Sequence, residues 1–208
     1  MLTMIALDWL AAIEDRLVAL RERLKLKRLQ SLGMRIGKDV VLPGSTSVDV
    51  EHCYLITIGD RAHFGPQCLI LAHDAQMDEF LDAGRMGRVV IGADCRIGAR
   101  TVILCNVEIG AGTIVEVGSV VATSLPAGSY CAGSPARVVC SAEEYGRRIA
   151  QEASGRPRYT AEAIRESLRR PETRTALRDQ VMTGTVLVAR ATGSVGAPVN
   201  GHPSRTRS

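Results

Sequence analysis

Residues 91–126, IGADCRIGARTVILCNVEIGAGTIVEVGSVVATSLP, repeat one pattern every six positions. An aliphatic residue returns at every sixth place: Ile91, Ile97, Ile103, Ile109, Val115 and Val121. A smaller residue stands four places later, as Cys95, Thr101, Val107, Thr113 and Ser119. A period of six matches neither an α-helix, with its 3.6 residues per turn, nor a strand whose side chains alternate. Another regular backbone structure must produce it.

A triangular coil has this period, because short strands form its three sides and turns form its corners. The aliphatic residue points inward, the smaller one fills the remaining interior, and we interpret the glycines after Ile91, Ile97 and Ile109 as permitting the corners. Successive coils stack at the strand spacing of ~4.8 Å. The pattern therefore predicts an all-β fold, a parallel β-solenoid. The predicted coils are residues 36–53, 58–75, 91–108 and 109–126, with a partial coil at 127–138.

The composition agrees with an interior filled by aliphatic side chains. The chain has 208 residues, of which 46% are hydrophobic but only 3% aromatic, with 20 glycines and a net charge of +4. An intrinsically disordered chain would contain fewer aliphatic residues and more net charge. A chain of this length is sufficient for one domain with helical additions.

Cysteine usage and the N-terminus predict a cytoplasmic protein. The six cysteines include no C-x-x-C pair, so we interpret them as reduced thiols, with Cys68, Cys95 and Cys131 in the small inward positions. No stretch reaches the ~18 apolar residues of a membrane span. The first residues carry Asp8 and Glu14 and lack the basic start of a signal peptide.

Residues 1–32 are predicted to form an N-terminal helical cap. Leu10, Ile13, Leu17, Leu20 and Leu24 follow a spacing of three and four, which places them on one helix face. That face would cover the open end of the solenoid or contact another subunit. A helix lying on a membrane surface is the alternative, because the segment is basic and contains Trp9.

The solenoid domain, residues 33–140, is followed by a predicted helical segment at 141–182. Ser141-Ala-Glu-Glu144 is a capping box, Thr160 caps the next helix, and Pro171 begins a third. The arginines of this segment alternate with glutamates, which favours a solvated helix face over a nucleic-acid surface. Residues 183–208 are predicted to be a disordered tail.

The repeat is interrupted at 54–57 and, by a longer insertion, at 76–90. A long loop on a rigid scaffold is a common place for function. This loop carries polar groups suited to a polar ligand: Asp78, Glu79, Asp82, Arg85 and Arg88.

His73, just before the long loop, is a candidate general base. It occupies the fourth place of its repeat, so its imidazole points out of the coil, where it is either a base or an incidental surface histidine. Asn106 holds the matching place one coil later and is a candidate hydrogen-bonding partner. We interpret His52, His63 and His202 as histidines that do not border the loop.

These residues resemble the bacterial hexapeptide-repeat acyltransferases with a left-handed β-helix, in particular the galactoside, maltose, polysaccharide and xenobiotic O-acetyltransferases. The resemblance covers about residues 34–140 and begins with the repeat array itself. Its second part is Ile58-Gly through Phe64-Gly-Pro66, leading to Ile70-Leu-Ala-His73-Asp74. Its third part is the closing run 118–126 with Ala132-Gly-Ser-Pro-Ala-Arg137.

The resemblance implies a homotrimer that binds acetyl-CoA, or another acyl-CoA, in grooves between adjacent solenoids. His73 would take the proton of a hydroxyl or amine on a sugar-like acceptor, and neither a cysteine nucleophile nor a metal is implied. Asp82 is the loop carboxylate closest to the family's pattern. The implied cofactor-binding residues are Ala99, Val117, Gly118, Ala122, Thr123 and Arg137. The implied acceptor-binding residues are Asp74, Asp78, Glu79 and Arg85.

Three departures from the family's pattern stand out. Glu116-Val117 replaces Gly-Ala, which introduces a carboxylate near the implied cofactor groove, and Ala122-Thr123 replaces Thr-Lys, which removes a phosphate-binding lysine. The N-terminal segment of maltose-type members is replaced by the predicted helix. This last difference favours precursors of cell-surface polysaccharides or glycolipids as acceptors.

Two other functions are compatible with the same scaffold. A non-catalytic solenoid would need no His73 chemistry. A metal lyase like the γ-class carbonic anhydrases needs three histidines, two of them as H-x-x-x-x-H. His52, His63 and His73 do not have that spacing.

Overall fold

Three sheets, parallel except for the last strand pair of the second, form the sides of the solenoid in the computed structural model. The structure describes residues 2–76, 78–160, 163–164, 171–183, 185 and 187–188. The first sheet contains β1 (Arg35–Ile36), β3 (Ile56–Ile58), β8 (Val89–Ile91) and β11 (Val107–Ile109). The second contains β4 (His63–Phe64), β9 (Arg96–Ile97), β12 (Ile114–Val115), β14 (Ser129–Gly133) and β15 (Ala136–Ser141). The third contains β2 (Ser47–Val48), β5 (Leu69–Ile70), β10 (Val102–Ile103) and β13 (Val120–Val121).

The register of these sheets confirms the predicted six-residue repeat. In the first sheet Ile36 pairs with Ile58, Ile58 with Ile91, and Ile91 with Ile109. Each repeat position therefore stacks on its equivalent one coil away. The six aliphatic residues of 91–121 are at most 3% exposed, and the smaller residues four places later are equally buried.

The glycines after the aliphatic residues have a different role from the predicted one. The corners are made by residues with positive φ that recur at the same spacing, among them Asp94, Arg100 and Asn106. Gly92 does not have a positive φ, but a Cβ built on it would lie 2.5 Å from the backbone nitrogen of Ala111 in the next coil. These glycines are needed because neighbouring coils approach too closely for any side chain.

The last coil also differs from the predicted register. Ile109 bridges to Leu125, not to residue 127, so this coil is two residues short. Cys131 consequently pairs with Val115 in an aliphatic position, where it is fully buried, instead of taking the small position. Ser129 takes the small position and donates its hydroxyl to the carbonyl of Pro126 at 2.6 Å.

The N-terminal helix α1 (Leu2–Ser31) packs on the first coil through another face than predicted. Leu29 is 2% exposed and Leu26 packs against the core. Leu17, Leu20 and Leu24, which the sequence placed on the covering face, are each more than half exposed. The side chain of Leu10 lies outside the described residues.

The strand–helix–strand insertion before the third complete coil contains β6 (His73–Asp74), α2 (Asp78–Leu81) and β7 (Arg85–Met86). It occupies most of the predicted loop, since the first sheet resumes at Val89. The earlier insertion forms a short 3-10 turn, Cys53–Leu55.

The described residues divide into two compact units, one ending at Gly146 and the other beginning at Arg147. Helix α3 (Ala142–Glu152) starts with the predicted cap, because Ser141 Oγ accepts the backbone N–H of Glu144 at 3.0 Å. Thr160 Oγ1 likewise accepts the N–H of Ala163 at 3.0 Å, and α4 (Pro171–Thr183) begins at the predicted proline. Among the described helices, none combines the length and hydropathy needed to cross a membrane.

The predicted tail lies mostly outside the described residues. Its described part includes β17 (Leu187–Val188), which pairs in parallel with β16 (Arg158–Tyr159).

We predict that Gly92→Ala destabilises the protein by about 1–3 kcal/mol, because the added methyl group overpacks the contact between two coils. Equilibrium denaturation measures the change. Gly146→Ala is the matched control: nothing lies within 4 Å of its added Cβ, and alanine is the better helix former in α3. Equal stability of Gly92→Ala and wild type would contradict the close-approach explanation.

Candidate active site

The long insertion folds back against the solenoid as a small hairpin. His73 pairs with Met86 and Asp74 with Arg85 in antiparallel register. The N–H of Gly87 donates to the carbonyl of Ala72 at 2.9 Å, which fastens the returning strand to the coil. The loop therefore has a defined position beside His73.

Asp74 and Arg85 form an ion pair within this hairpin. Arg85 Nη2 donates to Asp74 Oδ2 at 2.9 Å, and the N–H of Gln76 donates to Asp74 Oδ1 at 3.0 Å. The bond from Gln76, followed by that from Arg85, lowers the pKa of Asp74 below its ordinary value. Asp74 thus remains ionised and paired with Arg85, so its structural task is to hold the hairpin.

The His73 imidazole is half-buried and stacked on a second histidine. The ring centroids of His52 and His73 are 4.7 Å apart with an interplanar angle of 28°. His73 Nε2 is directed at the loop, because a Cβ built on Gly84 would lie 2.5 Å from it. One face of the ring is thus held by His52 while Nε2 meets the loop.

Asp49 orients the stacked histidine in turn. His52 Nδ1 lies 3.2 Å from both carboxylate oxygens of Asp49, and the His52 N–H donates to Oδ1 at 3.2 Å. His52 thus contacts the candidate base itself, a neighbour that the sequence did not suggest. The sequence signal for this pair is the Asp49-x-x-His52 spacing immediately before the first insertion.

The structure places Asp78, not Asp82, beside His73. The Cβ built on Gly84 would also lie 3.1 Å from Asp78 Oδ1, so Asp78 and His73 Nε2 approach the same point. Asp82 is exposed, has a φ of 51°, and ends the turn of α2. Glu79 is exposed on α2.

Asn106 occupies the corner one coil after His73, as predicted. Its neighbour there is Gly87, at the end of the hairpin. A Cβ on Gly87 would lie 2.6 Å from the Cβ of Asn106. Within the described residues no hydrogen bond joins Asn106 to His73. The expected pairing of the two side chains is therefore not present in the single chain.

The implied cofactor-binding residues lie at two corners. Ala99, Val117 and Gly118 form the corner between the second and third sheets, where the Gly118 N–H donates to the Ala99 carbonyl at 2.9 Å. Ala122 and Thr123 follow the third sheet, on the same corner as His73. Arg137 reaches this second group, since its Nη1 donates to Thr123 Oγ1 at 3.3 Å.

Glu116, the carboxylate that departs from the family's pattern, is held by neighbouring groups. The Tyr130 hydroxyl donates to Glu116 Oε2, and the Val117 N–H donates to Oε1 at 3.2 Å. Tyr130 stacks on Tyr145 at the start of α3, with ring centroids 3.9 Å apart. Glu116, Val117 and Tyr145 line a cavity of about 200 Å³ on the outer face of the second sheet.

Three of the buried thiols, those of Cys53, Cys68 and Cys95, are poor nucleophiles. Burial raises the pKa of Cys95 to about 11, so this thiol stays protonated near neutral pH. Burial also raises the pKa of Cys53 and Cys68. In the described part of the chain, no group of three or more His, Cys, Asp and Glu side chains is arranged to hold a metal ion.

Comparison with known proteins identifies the class. The family profile "Bacterial transferase hexapeptide (six repeats)" matches residues 88–123. "Putative acetyltransferase YvoF" of Bacillus subtilis is 33% identical over 122 residues, which are 59% of this chain and 69% of that protein. The chain belongs to the bacterial hexapeptide-repeat acyltransferases, and its solenoid is a left-handed β-helix.

Two further relatives match smaller parts. The 2,3,4,5-tetrahydropyridine-2,6-dicarboxylate N-acetyltransferase of Clostridium perfringens is 47% identical over 55 residues, 26% of this chain and 23% of that enzyme. The hexapeptide-repeat acetyltransferase VCA0836 of Vibrio cholerae, solved with acetyl coenzyme A, is 27% identical with a TM-score of 0.47. That similarity covers 52% of this chain and 60% of the solved one.

We predict that His52→Ala releases the His73 ring, whereas His52→Phe keeps it stacked, because a phenyl ring also offers a flat face. The His73 ring protons, assigned by their loss in His73→Gln, should show a ring-current shift in wild type and His52→Phe but not in His52→Ala. His63→Ala, on the second sheet, is the control. An unchanged His73 spectrum in His52→Ala would refute the stacked arrangement.

Proposed function

We propose that this protein transfers an acetyl group from acetyl-CoA to a hydroxyl or amine of a sugar-like acceptor, with His73 as the general base. The proposal rests on the position of the His73 ring in a chain that belongs to the hexapeptide-repeat acyltransferases. Its ring is stacked on His52, and its Nε2 faces the polar insertion. A base needs a fixed ring and an accessible nitrogen.

The proposed reaction is a direct transfer. Nε2 of His73 takes the proton as the acceptor oxygen or nitrogen attacks the thioester carbonyl. The new C–O or C–N bond forms, the C–S bond of the tetrahedral intermediate breaks, and coenzyme A leaves with the proton that His73 returns. No cysteine is needed as a nucleophile, in keeping with the raised pKa of Cys95.

His52 and Asp49 act as positioning residues in this proposal. Stacking restricts rotation of the His73 ring, and the contacts of Asp49 with His52 fix the plane of the stacked partner. Asp78 is the carboxylate best placed to contact an acceptor held at Nε2. It takes the role that the sequence assigned to Asp82, while Asp74 and Arg85 keep the hairpin in place.

The cofactor would lie between two chains. Ala99, Val117 and Gly118 are at a different corner from His73, so one solenoid can supply the base while its neighbour supplies these backbone positions. Arg137 with Thr123 supplies a cationic group for a phosphate, since a guanidinium pairs well with phosphate oxygens. A trimer provides such grooves, and it would also cover the exposed leucines of α1.

We predict that His73→Gln lowers kcat for acetyl transfer at least 100-fold, because the acceptor loses its base, while coenzyme A still binds. Acetyl-CoA is incubated with nucleotide sugars, oligosaccharides and amino sugars, and released thiol is measured. Lys38→Gln, at an exposed position of the first coil, should stay within twofold of wild type. Activity of His73→Gln within a few-fold of wild type would refute the base assignment.

We also predict a trimer in solution. Light scattering coupled to size exclusion should give three times the mass of the chain. Leu17→Gln with Leu20→Gln, in the exposed stripe of α1, should weaken the assembly, and Lys27→Gln is a control on the same helix. A monomeric mass for wild type would exclude a cofactor site shared between chains.

A further inference from the structure

A second cavity, of about 430 Å³, lies between helix α1 and the first coil. One wall is the helix, with Arg21, Lys25 and Arg28, and the facing wall is the third-sheet side of the first coil. The remaining lining residues are Leu29, Gly44, Thr46, Ser47, Val48 and Val50. Its volume falls within the range of small-molecule binding sites.

The helix wall carries three cations on one face. Residues spaced by four and three lie above one another on a helix, so Arg21, Lys25 and Arg28 line about 10 Å of the cavity. In the described residues, no carboxylate forms an ion pair with any of the three. The carboxylate of Glu22 is nearby and acts on Lys25, but its Oε1 accepts the N–H of Gly44 at 3.0 Å, and like the other described carboxylates it forms no ion pair with the three cations.

Lys25 is held in place by the coil. Its Nζ donates to the carbonyl of Gly44 at 3.1 Å and to that of Thr46, which leaves a third N–H for another acceptor. Burial, opposed by Glu22 and assisted by Arg21, lowers the pKa of Lys25. The positive charges of Arg21 and Lys25 repel each other, and an anion bound in the cavity would offset that repulsion.

Thr46 supplies a polar group that lacks a partner. The equivalent hydroxyls of later coils donate to backbone carbonyls, Thr101 to Gly98 at 2.7 Å and Thr113 to Pro126 at 2.8 Å. Thr46 is 2% exposed, and its Oγ1 has no hydrogen-bond partner among the described residues. A buried hydroxyl without a partner is costly, but this oxygen has no accessible surface, so contact with a ligand in the cavity falls to the cations of the helix wall.

We propose that this cavity binds the phosphate end of a phosphorylated small organic molecule. The three cations would hold phosphate oxygens, and Val48 and Val50 would contact the apolar part of the molecule. Val50 of the cavity wall lies two residues before His52, whose ring contacts His73, so one short segment of the chain joins the cavity wall to the partner of the base. On the proposed function, the bound molecule is the acyl acceptor, a phosphorylated sugar or a similar phosphate ester.

The test measures binding separately from catalysis. Calorimetry with inorganic pyrophosphate is performed on wild type and on His73→Gln, so that loss of activity does not affect the result. Arg21→Gln with Arg28→Gln should weaken binding at least tenfold in both. Arg16→Gln with Arg23→Gln, which removes the same charge from exposed positions outside the cavity, should change affinity less than twofold.

The source of the phosphate is tested by kinetics. An amino sugar phosphate is compared with the same amino sugar lacking phosphate, with pyrophosphate as inhibitor. If the acceptor supplies the phosphate, the phosphorylated sugar has the lower KM, Arg21→Gln with Arg28→Gln removes that advantage, and pyrophosphate competes with it. Binding of pyrophosphate without competition supports the cavity as a site for a separate phosphate compound and overturns its assignment to the acceptor. Absent binding, or equal loss in the two double variants, overturns the site itself.

Discussion

The close approach of successive coils is the constraint on which the rest of the structure depends. Each coil contributes only two or three residues per side, so its backbone must pair directly with the coils before and after it. At Gly59, Gly65 and Gly92 the next backbone comes within 2.5 Å of where a Cβ would stand. This spacing brings Ile, Val and smaller side chains into continuous stacks, and leaves functional groups to the corners and insertions.

The candidate base illustrates that division. His73 is at a corner, which fixes its backbone through the sheets, but its ring is positioned by groups from the two interruptions of the repeat. The short turn after His52 brings the second imidazole to one face, and the hairpin brings Gly84 and Asp78 to Nε2. The solenoid thus fixes the backbone position of His73, and the two irregular segments supply the groups that contact its ring.

The same division explains what the sequence could predict. Ile91 to Val121 were correctly assigned to the core because every coil repeats the same environment. His52 was not recognised as a neighbour of His73, and Asp78 was assigned to the loop only as an acceptor-binding residue, because no period relates the irregular segments to the coil beneath them. For α1 the sequence left open both a cover for the solenoid end and a contact with another subunit. The leucine stripe does not form the cover, because contact with the first coil is set by where Leu26 and Leu29 fit. The glycines after the aliphatic residues did mark the repeat correctly. They are required because the next coil leaves no room for a Cβ, and not because the corners need a positive φ.

The shortened last coil determines how the solenoid ends. Because Leu125 takes the place that residue 127 would have had, the next strand is out of phase, and β15 turns back antiparallel along β14. An additional repeat, from this chain or from another molecule, would meet a strand running in the opposite direction. At this edge of the second sheet, head-to-tail stacking of another parallel coil is thereby disfavoured, which reduces the hazard that open sheet edges present.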